Sequence, residues 1–410
     1  MTSHPLQPLG LKSQAVNFKA LPPLSLYIHI PWCVRKCPYC DFNSHEVRAG
    51  SFPIKAERAV QNMPEQEYVA ALIRDLELAL PLIWGRKVYT VFFGGGTPSL
   101  FSGESIEKIL RHVRMLLPLA LDAEITLEAN PGTVEAARFA VYREAGVNRL
   151  SMGVQSFSDT HLQALGRIHS ADEAKRAIEI AQQHFDNLNL DLMYALPNQT
   201  LEQALQDVQT ALTFAPQHLS CYHLTLEPNT LFHHNPPALP DDDASSDMQQ
   251  HIEQLLSARG YQHYETSAFA QPKKKSRHNL NYWKYGDYLG IGAGAHSKLS
   301  FHDKVIRQVR YKQPHEYLQQ VAKDAPLQSE NQVQRDELVF EFMLNALRLN
   351  EGFDENLFAE RTSLPLLMMR RELALAEQRG LLVREGQRIA PTELGRRFLN
   401  DLVQIFLLNK

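Results

Sequence analysis

Six short apolar or β-branched runs recur through the first half of this chain, at 24–30, 88–93, 124–129, 149–154, 187–194 and 219–225. The first five are each followed by a stretch of helical periodicity, expected at 67–80, 104–117, 133–145, 172–184 and 201–214. Val69, Leu72, Ile73, Leu76 and Leu80 show the pattern in the first of these. Near-continuous apolar runs are what strands buried on both faces of a parallel sheet require. Six such units predict an α/β fold, a partial (β/α)6 barrel of the TIM type, rather than an open dinucleotide-binding sheet. In barrels the chemistry gathers at the C-terminal ends of the strands, and the unusual motifs of this region fall there.

The expected organisation has four parts. Residues 1–22 form a flexible, Pro-dotted tail, 23–227 the barrel, and 228–325 a connecting region with a sheet extension. Within the last, 228–243 reads as a linker, 245–258 as a helix and 261–269 as a strand. Residues 326–410 form a small helical, winged-helix-like domain. Its helices are expected at 336–349, 365–380 and 391–408, around a hairpin turning at Glu385-Gly386.

Hydrophobic residues make up 44%, charged residues 21%, and the net charge is −4. That balance gives no support to a nucleic-acid binder. The arginines of the C-terminal part, among them Arg370, Arg371, Arg384, Arg388, Arg396 and Arg397, read first as a solvated face. No run approaches the roughly 18–20 apolar residues of a membrane span. The first 21 residues hold no apolar secretory core. Four cysteines do not make a disulfide framework. The expected compartment is the reducing cytoplasm.

Three of those four cysteines, Cys33, Cys37 and Cys40, lie within eight residues, directly after the first strand. Structural zinc normally closes with four ligands and electron-transfer clusters with four cysteines. Three thiolates on a four-iron cluster leave one iron open to a small molecule. The alternative is a zinc site completed by His29 or His45.

An open iron suits a ligand that chelates through an amino group and a carboxylate, as S-adenosylmethionine does. The strand ends offer what such a ligand needs. Gly94, Gly95, Gly96 and Thr97 allow close backbone approach, though a tight turn alone explains them. Glu128 places a carboxylate at the end of the third strand. Gln155 follows the fourth, as a ligand donor or a loop amide. Arg167 is a carboxylate clamp or a surface ion-pair partner. Asp191 lies inside an apolar run and calls for a partner, for which Arg167 is the candidate. Tyr27 and Tyr39 flank the cysteine loop. Cys221 reads as a core thiol.

These residues carry a resemblance. The segments 26–33, 94–99, 127–133, 153–157, 165–169 and 278–283 together resemble the coproporphyrinogen III dehydrogenase-like radical S-adenosylmethionine proteins, and more closely the HemW haem chaperone family. The resemblance implies that Cys33, Cys37 and Cys40 hold a [4Fe–4S] cluster. It implies that Tyr27, Tyr39, Gly95, Gly96, Thr97, Glu128, Gln155, Arg167 and Asp191 line the S-adenosylmethionine site. Haem is implied as cargo, with His278 and Tyr282 of His-Asn-Leu-Asn-Tyr-Trp as candidate contacts and His223, His233, His234 and His296 as rivals. Lys273, Lys274, Lys275 and Arg277 face haem propionates or form a solvated run. The glycines from Gly286 to Gly294 let backbone pass close to a large ligand or a cluster. Expected partners are haem-accepting apoproteins, an electron donor such as flavodoxin or ferredoxin, a second copy in a homodimer, and membranes touched through the acceptors.

The oxidases of this group carry a further cysteine two residues after the third. Phe42 stands there. That departure favours a haem chaperone over a radical oxidase decarboxylating coproporphyrinogen III. An iron- or redox-sensing winged-helix regulator is a third reading, and the net charge speaks against it.

Overall fold

The computed structural model describes residues 16–49, 52–53, 63–132 and 136–407. Six parallel strands form its centre: β1 (Leu24–Ile30), β2 (Val88–Gly95), β3 (Leu119–Ala129), β4 (Arg149–Gln155), β5 (Leu188–Tyr194) and β6 (His218–His223). They lie side by side in chain order. The connecting helices are α1 (Glu65–Ile83), α2 (Gly103–Leu116), α3 (Phe139–Ala145), α4 (Ala171–Gln182) and α5 (Leu201–Thr213). Local chemistry sets their starts. The Ser102 hydroxyl accepts from the Ser105 N–H, while Ser170 with Glu173 and Thr200 with Gln203 form capping boxes. In α2, Ile106, Ile109, Leu110 and Val113 recur on one face and are buried.

The strands are not apolar on both faces. Leu26, Ile28, Leu127, Leu150, Met152, Leu190 and Leu192 point outward into the main core beneath the helices. The alternate positions are polar, Ser25, His29, Thr90, Glu124, Thr126, Arg149, Ser151, Asn189, His218 and Ser220 among them, and all ten are buried. A partial barrel with a polar bore explains the alternation.

The sheet continues at both margins. A hairpin, β7 (Gln262–Glu265) and β8 (Ala268–Ala270), adds to β6, and helix α6 (Asp242–Ala258) precedes it. The single strand expected at 261–269 is thus two, turned at Thr266-Ser267. Beyond the hairpin, helix α7 (Arg277–Trp283) leads to β9 (Asp287–Ile291), which pairs parallel with β1. Antiparallel strands β10 (His296–Ser300), β11 (Val305–Arg310) and β12 (Leu327–Gln332) complete an order of β7-β8-β6-β5-β4-β3-β2-β1-β9-β10-β11-β12.

A second core gathers helix α8 (Arg335–Ala346), helix α9 (Glu355–Thr362), helix α10 (Arg370–Gln378) and a hairpin of β14 (Leu382–Glu385) and β15 (Arg388–Pro391). The two-residue β13 (Phe353–Asp354) pairs with β15. Three helices followed by a wing match the winged-helix-like expectation in outline. The final helix is broken at Phe398, into Glu393–Arg397 and Leu399–Gln404. Gly395 must lie flush on the Leu381 backbone while Leu402, Val403 and Phe406 turn into the core. Arg384, Arg388 and Arg397 pair with Glu377, Glu351 and Glu393. Within the expected loose tail, Phe18 is buried in this second core and exchanges bonds with His302. No described helix is long and apolar enough to cross a membrane.

Candidate functional site

At the C-terminal ends of β1–β6 lies a cavity of about 500 Å³. Cys33, Cys37 and Cys40 line it, with Tyr39, Gly95, Gly96, Thr97, Glu128, Gln155, Arg167 and Asp191. Tyr27 stands beside it: its ring stacks on Phe92, and its hydroxyl lies 3.0 Å from His29 Nδ1.

The three thiols sit on one loop and each has a polar neighbour. Thr97 Oγ1 lies 3.5 Å from Cys33 Sγ, Arg167 Nη1 3.5 Å from Cys37 Sγ, and Ser44 Oγ 3.8 Å from Cys40 Sγ. Burial pushes the Cys33 thiol up to about 11, a cost that bound iron would offset. Three soft sulfurs facing a cavity, each with a hydrogen-bonding neighbour, fit an iron–sulfur cluster. They do not fit the zinc alternative. Both ring nitrogens of His29 are engaged, by Tyr27 and by Asn43 O at 2.9 Å, and His45 turns to Asn43 Oδ1.

The glycines of the turn serve the protein first. A β-carbon on Gly95 would collide with the His29 ring, and one on Gly96 would lie 2.6 Å from Trp32 O. The Gly96 and Thr97 N–H groups bond Ile30 O and Trp32 O, so the end of β2 runs along the cysteine loop. Gly95 N–H donates to Glu128 Oε2 at 3.2 Å. Burial, then the charge of Asp191, pushes the Glu128 carboxyl up to about 8. Gln155 holds a left-handed φ of 69°, strain of a kind that gathers at binding sites.

Arg167 and Asp191 do not pair. Arg167 Nη2 donates to Asn130 Oδ1 at 2.6 Å and Gly153 O at 2.9 Å. Asp191 accepts from Asn189 Nδ2 at 2.8 Å and Ser151 Oγ at 3.1 Å. The strand register decides this, since Asp191 lies beside Gly153 and Ser220. Asn130, Arg149, Ser151, Asn189 and Ser220 also line the cavity and went unread in the sequence. Their signal was the period-2 polar alternation along the strands.

Helix α7 closes the bore from below. Glu124 caps it, accepting from the N–H groups of Arg277 and His278. The His278 ring is buried, stacked 4.8 Å from Phe92, with Nδ1 2.8 Å from Thr90 Oγ1. Tyr282 packs edge-on against it at 5.1 Å and lies 4.4 Å from Tyr288. Neither lines the cavity; their rings pack into its floor. His223 does line the cavity, exposed at its mouth, and His233, His234 and His296 are exposed outside it. Lys274, Lys275 and Arg277 bond Asp186 O, Glu351 and Asp122 on the surface.

The glycine run approaches the cysteine loop from behind. A β-carbon on Gly292 would lie 2.5 Å from His29 O, and Asn43 Nδ2 donates to Ala293 O and Lys312 O. Tyr68 OH donates to His29 O and accepts from Ala293 N–H.

Residues 27–211 match the model of the Radical SAM superfamily and residues 333–398 that of the HemN C-terminal domain. The chain is 49% identical to the Escherichia coli protein named heme chaperone HemW, across 94% of this chain and 99% of that one. It is 47% identical to the HemW of Haemophilus influenzae (94% and 98% covered) and 33% to that of Bacillus subtilis (93% and 99%). Coproporphyrinogen III oxidase (HemN) of Escherichia coli, described as a radical SAM enzyme, superposes with a TM-score of 0.77 at 25% identity. That match covers 94% of this chain and 90% of the oxidase. With such identity along nearly its whole length, the chain belongs to the HemW family and carries the radical SAM fold.

Proposed function

We propose that this chain is a cytoplasmic haem chaperone. It holds a [4Fe–4S] cluster on Cys33, Cys37 and Cys40 and S-adenosylmethionine in the cavity, and passes haem to apo-haemoproteins. The relatives' name supports this reading, and so does the donor set above. A bound cluster of this kind supplies one electron to a sulfonium. The chain's own residues do the rest. Glu128 and Asp191 offer carboxylates to a cationic ligand bearing ribose hydroxyls, Arg167 fixes the Asn130 and Gly153 wall, and the glycine turn keeps the ligand against the cysteine loop.

The observation that carries the choice of chaperone is Phe42. It is 61% exposed at the cavity mouth, in the position where the oxidases have a further cysteine. An exposed aromatic ring there offers a face to a flat macrocycle, not a thiol to a radical reaction. His278 and Tyr282 contact haem in this reading only if α7 leaves the floor; His223 needs no such movement.

The test is an anaerobic assay of the reconstituted chain with S-adenosylmethionine, a reductant and coproporphyrinogen III, followed by haem transfer to apomyoglobin. No decarboxylation together with haem transfer supports the chaperone. Protoporphyrinogen formed in step with 5′-deoxyadenosine would make the protein an oxidase.

A further inference from the structure

Three positively charged side chains line the cavity: Arg35, Arg149 and Arg167. Arg35 is exposed, and Arg167 is spent on Asn130, Gly153 and Cys37. Arg149 is different. It is 2% exposed, its Nε is buried with no partner, and its guanidinium makes no ion pair among the described residues. Glu128 and Asp191 lie close enough to feel its charge, but neither bonds to it: Glu128 accepts from Gly95, and Asp191 from Asn189 and Ser151. A buried guanidinium without a hydrogen-bonded anion is expensive, and a bound ligand that supplies the anion removes the cost.

Strand register gives its depth. Tyr27, Phe92, Thr126 and Arg149 form one cross-strand row. Glu128, Ser151 and Asn189 form the next row toward the cysteines. Two residues along a strand put Arg149 about 6–7 Å deeper than the Glu128 level. Thr126 Oγ1 and His278 Nε2 are also buried without partners, behind the cavity lining rather than in it. Thr126 is the partner of Arg149 across the strands, and the His278 ring stacks on Phe92 of the same row.

The geometry points to Arg149 as the receptor for a carboxylate of a second ligand, a propionate of the tetrapyrrole, entering beneath S-adenosylmethionine. S-adenosylmethionine's own carboxylate would be held at the opposite end of the cavity, beside Cys33, Cys37 and Cys40. The two terminal nitrogens of a guanidinium present a fork that matches a carboxylate. The inference rests on the haem reading above.

Blocking the propionates tests it. The reconstituted full chain is titrated anaerobically with iron protoporphyrin and with its dimethyl ester, in the same detergent. Wild type is expected to prefer the diacid by about tenfold or more, as loss of a charge-assisted bond implies. Arg149→Met brings the two affinities within about twofold, and Arg149→Lys keeps an intermediate preference because it retains the charge without the fork. If the Met variant fails to fold, the wild-type comparison and the Lys variant carry the test. Equal affinities in wild type, or a preference that survives in Arg149→Met, overturn the inference and leave the haem reading standing. No binding of either compound to wild type removes the haem reading and this inference with it. Loss of S-adenosylmethionine binding in Arg149→Met, with the diacid preference intact, would give the guanidinium to the other ligand's carboxylate and overturn it.

Discussion

Gly294 packs flush against Asn43. A β-carbon at 294 would take the place of the Asn43 amide, which donates to Ala293 O at 3.0 Å and Lys312 O at 2.9 Å. Gly294 also holds a φ of +79°. The variant Gly294→Ala should therefore push the cysteine loop out of place. Its expected destabilisation is about 1–3 kcal/mol, and iron bound after reconstitution should fall by roughly half or more. Gly260→Ala, at φ +81° with nothing near its β-carbon, shares the strain without the collision. Iron content and cluster absorbance of the two variants decide it; equal cluster loading would sink the clamp.

Glu128 should make ligand binding proton-linked. Its carboxyl is raised to about 8 by burial and by Asp191, so at pH 7 it is mostly neutral. A sulfonium ligand favours the carboxylate and must displace that proton. Affinity for S-adenosylmethionine should rise with pH, approaching about tenfold per unit below pH 8, and level off above it. Glu128→Gln should bind more weakly and lose the slope. Calorimetric titration from pH 6.5 to 9 measures both, and a slope unchanged in the variant would refute the assignment.

His278 ties stability to pH. Burial, then the charge of Arg149, lowers its pKa from 6.5 to about 3, so the folded ring stays neutral while the unfolded one protonates. A lowered histidine binds more protons when unfolded, so stability is lost as pH falls below 6.5 and the loss is complete near 3. At pH 5 this amounts to about 2 kcal/mol. Glu265, raised to about 7, and Asp207, raised to about 6, act in the opposite sense, losing stability as pH rises. The diagnostic is therefore a difference. Denaturant unfolding of His278→Gln should fall less steeply between pH 7 and 5 than that of wild type, and parallel curves would count against it.

Asp75 binds the barrel to its extension. This buried carboxylate faces Arg310 Nη2 at 3.2 Å, accepts from Tyr317 OH at 2.9 Å, and takes the Gly292 N–H at 3.1 Å. Removing it strands a buried guanidinium. Asp75→Ala should cost about 3–5 kcal/mol, read as a lower denaturant midpoint; a loss under about 1 kcal/mol would show that Arg310 finds another partner.

The strands of the barrel were legible because their outward residues, Leu26, Ile28, Leu127, Leu150 and Leu190, write the core into local sequence. The cysteine loop was legible because its three thiols fall within eight residues. The bore was not. Reading Leu188–Tyr194 as an apolar run hides that Asn189 and Asp191 share one face with Ser151 across the register. Arg167 and Asp191 looked like partners because both were charges in need of one, yet Asn130 and Gly153 O occupy Arg167, while Asn189 on the same strand and Ser151 on the next occupy Asp191. Arg149 was passed over as the edge of a strand. The partners of Asn43, Tyr68 and Asp75 lie more than 200 residues away, beyond any local pattern.

The pairing of β1 with β9 sets an order of events during synthesis. A nascent chain that has emerged as far as β6 carries Cys33, Cys37 and Cys40 and all six strands of the partial barrel. It still lacks Ala293 and Lys312 to hold Asn43, and Arg310 to answer Asp75. The cysteine loop thus acquires its backing only once the C-terminal third has been made and docked. A truncated product would keep the three thiols but lack the two carbonyls that brace Asn43 behind them.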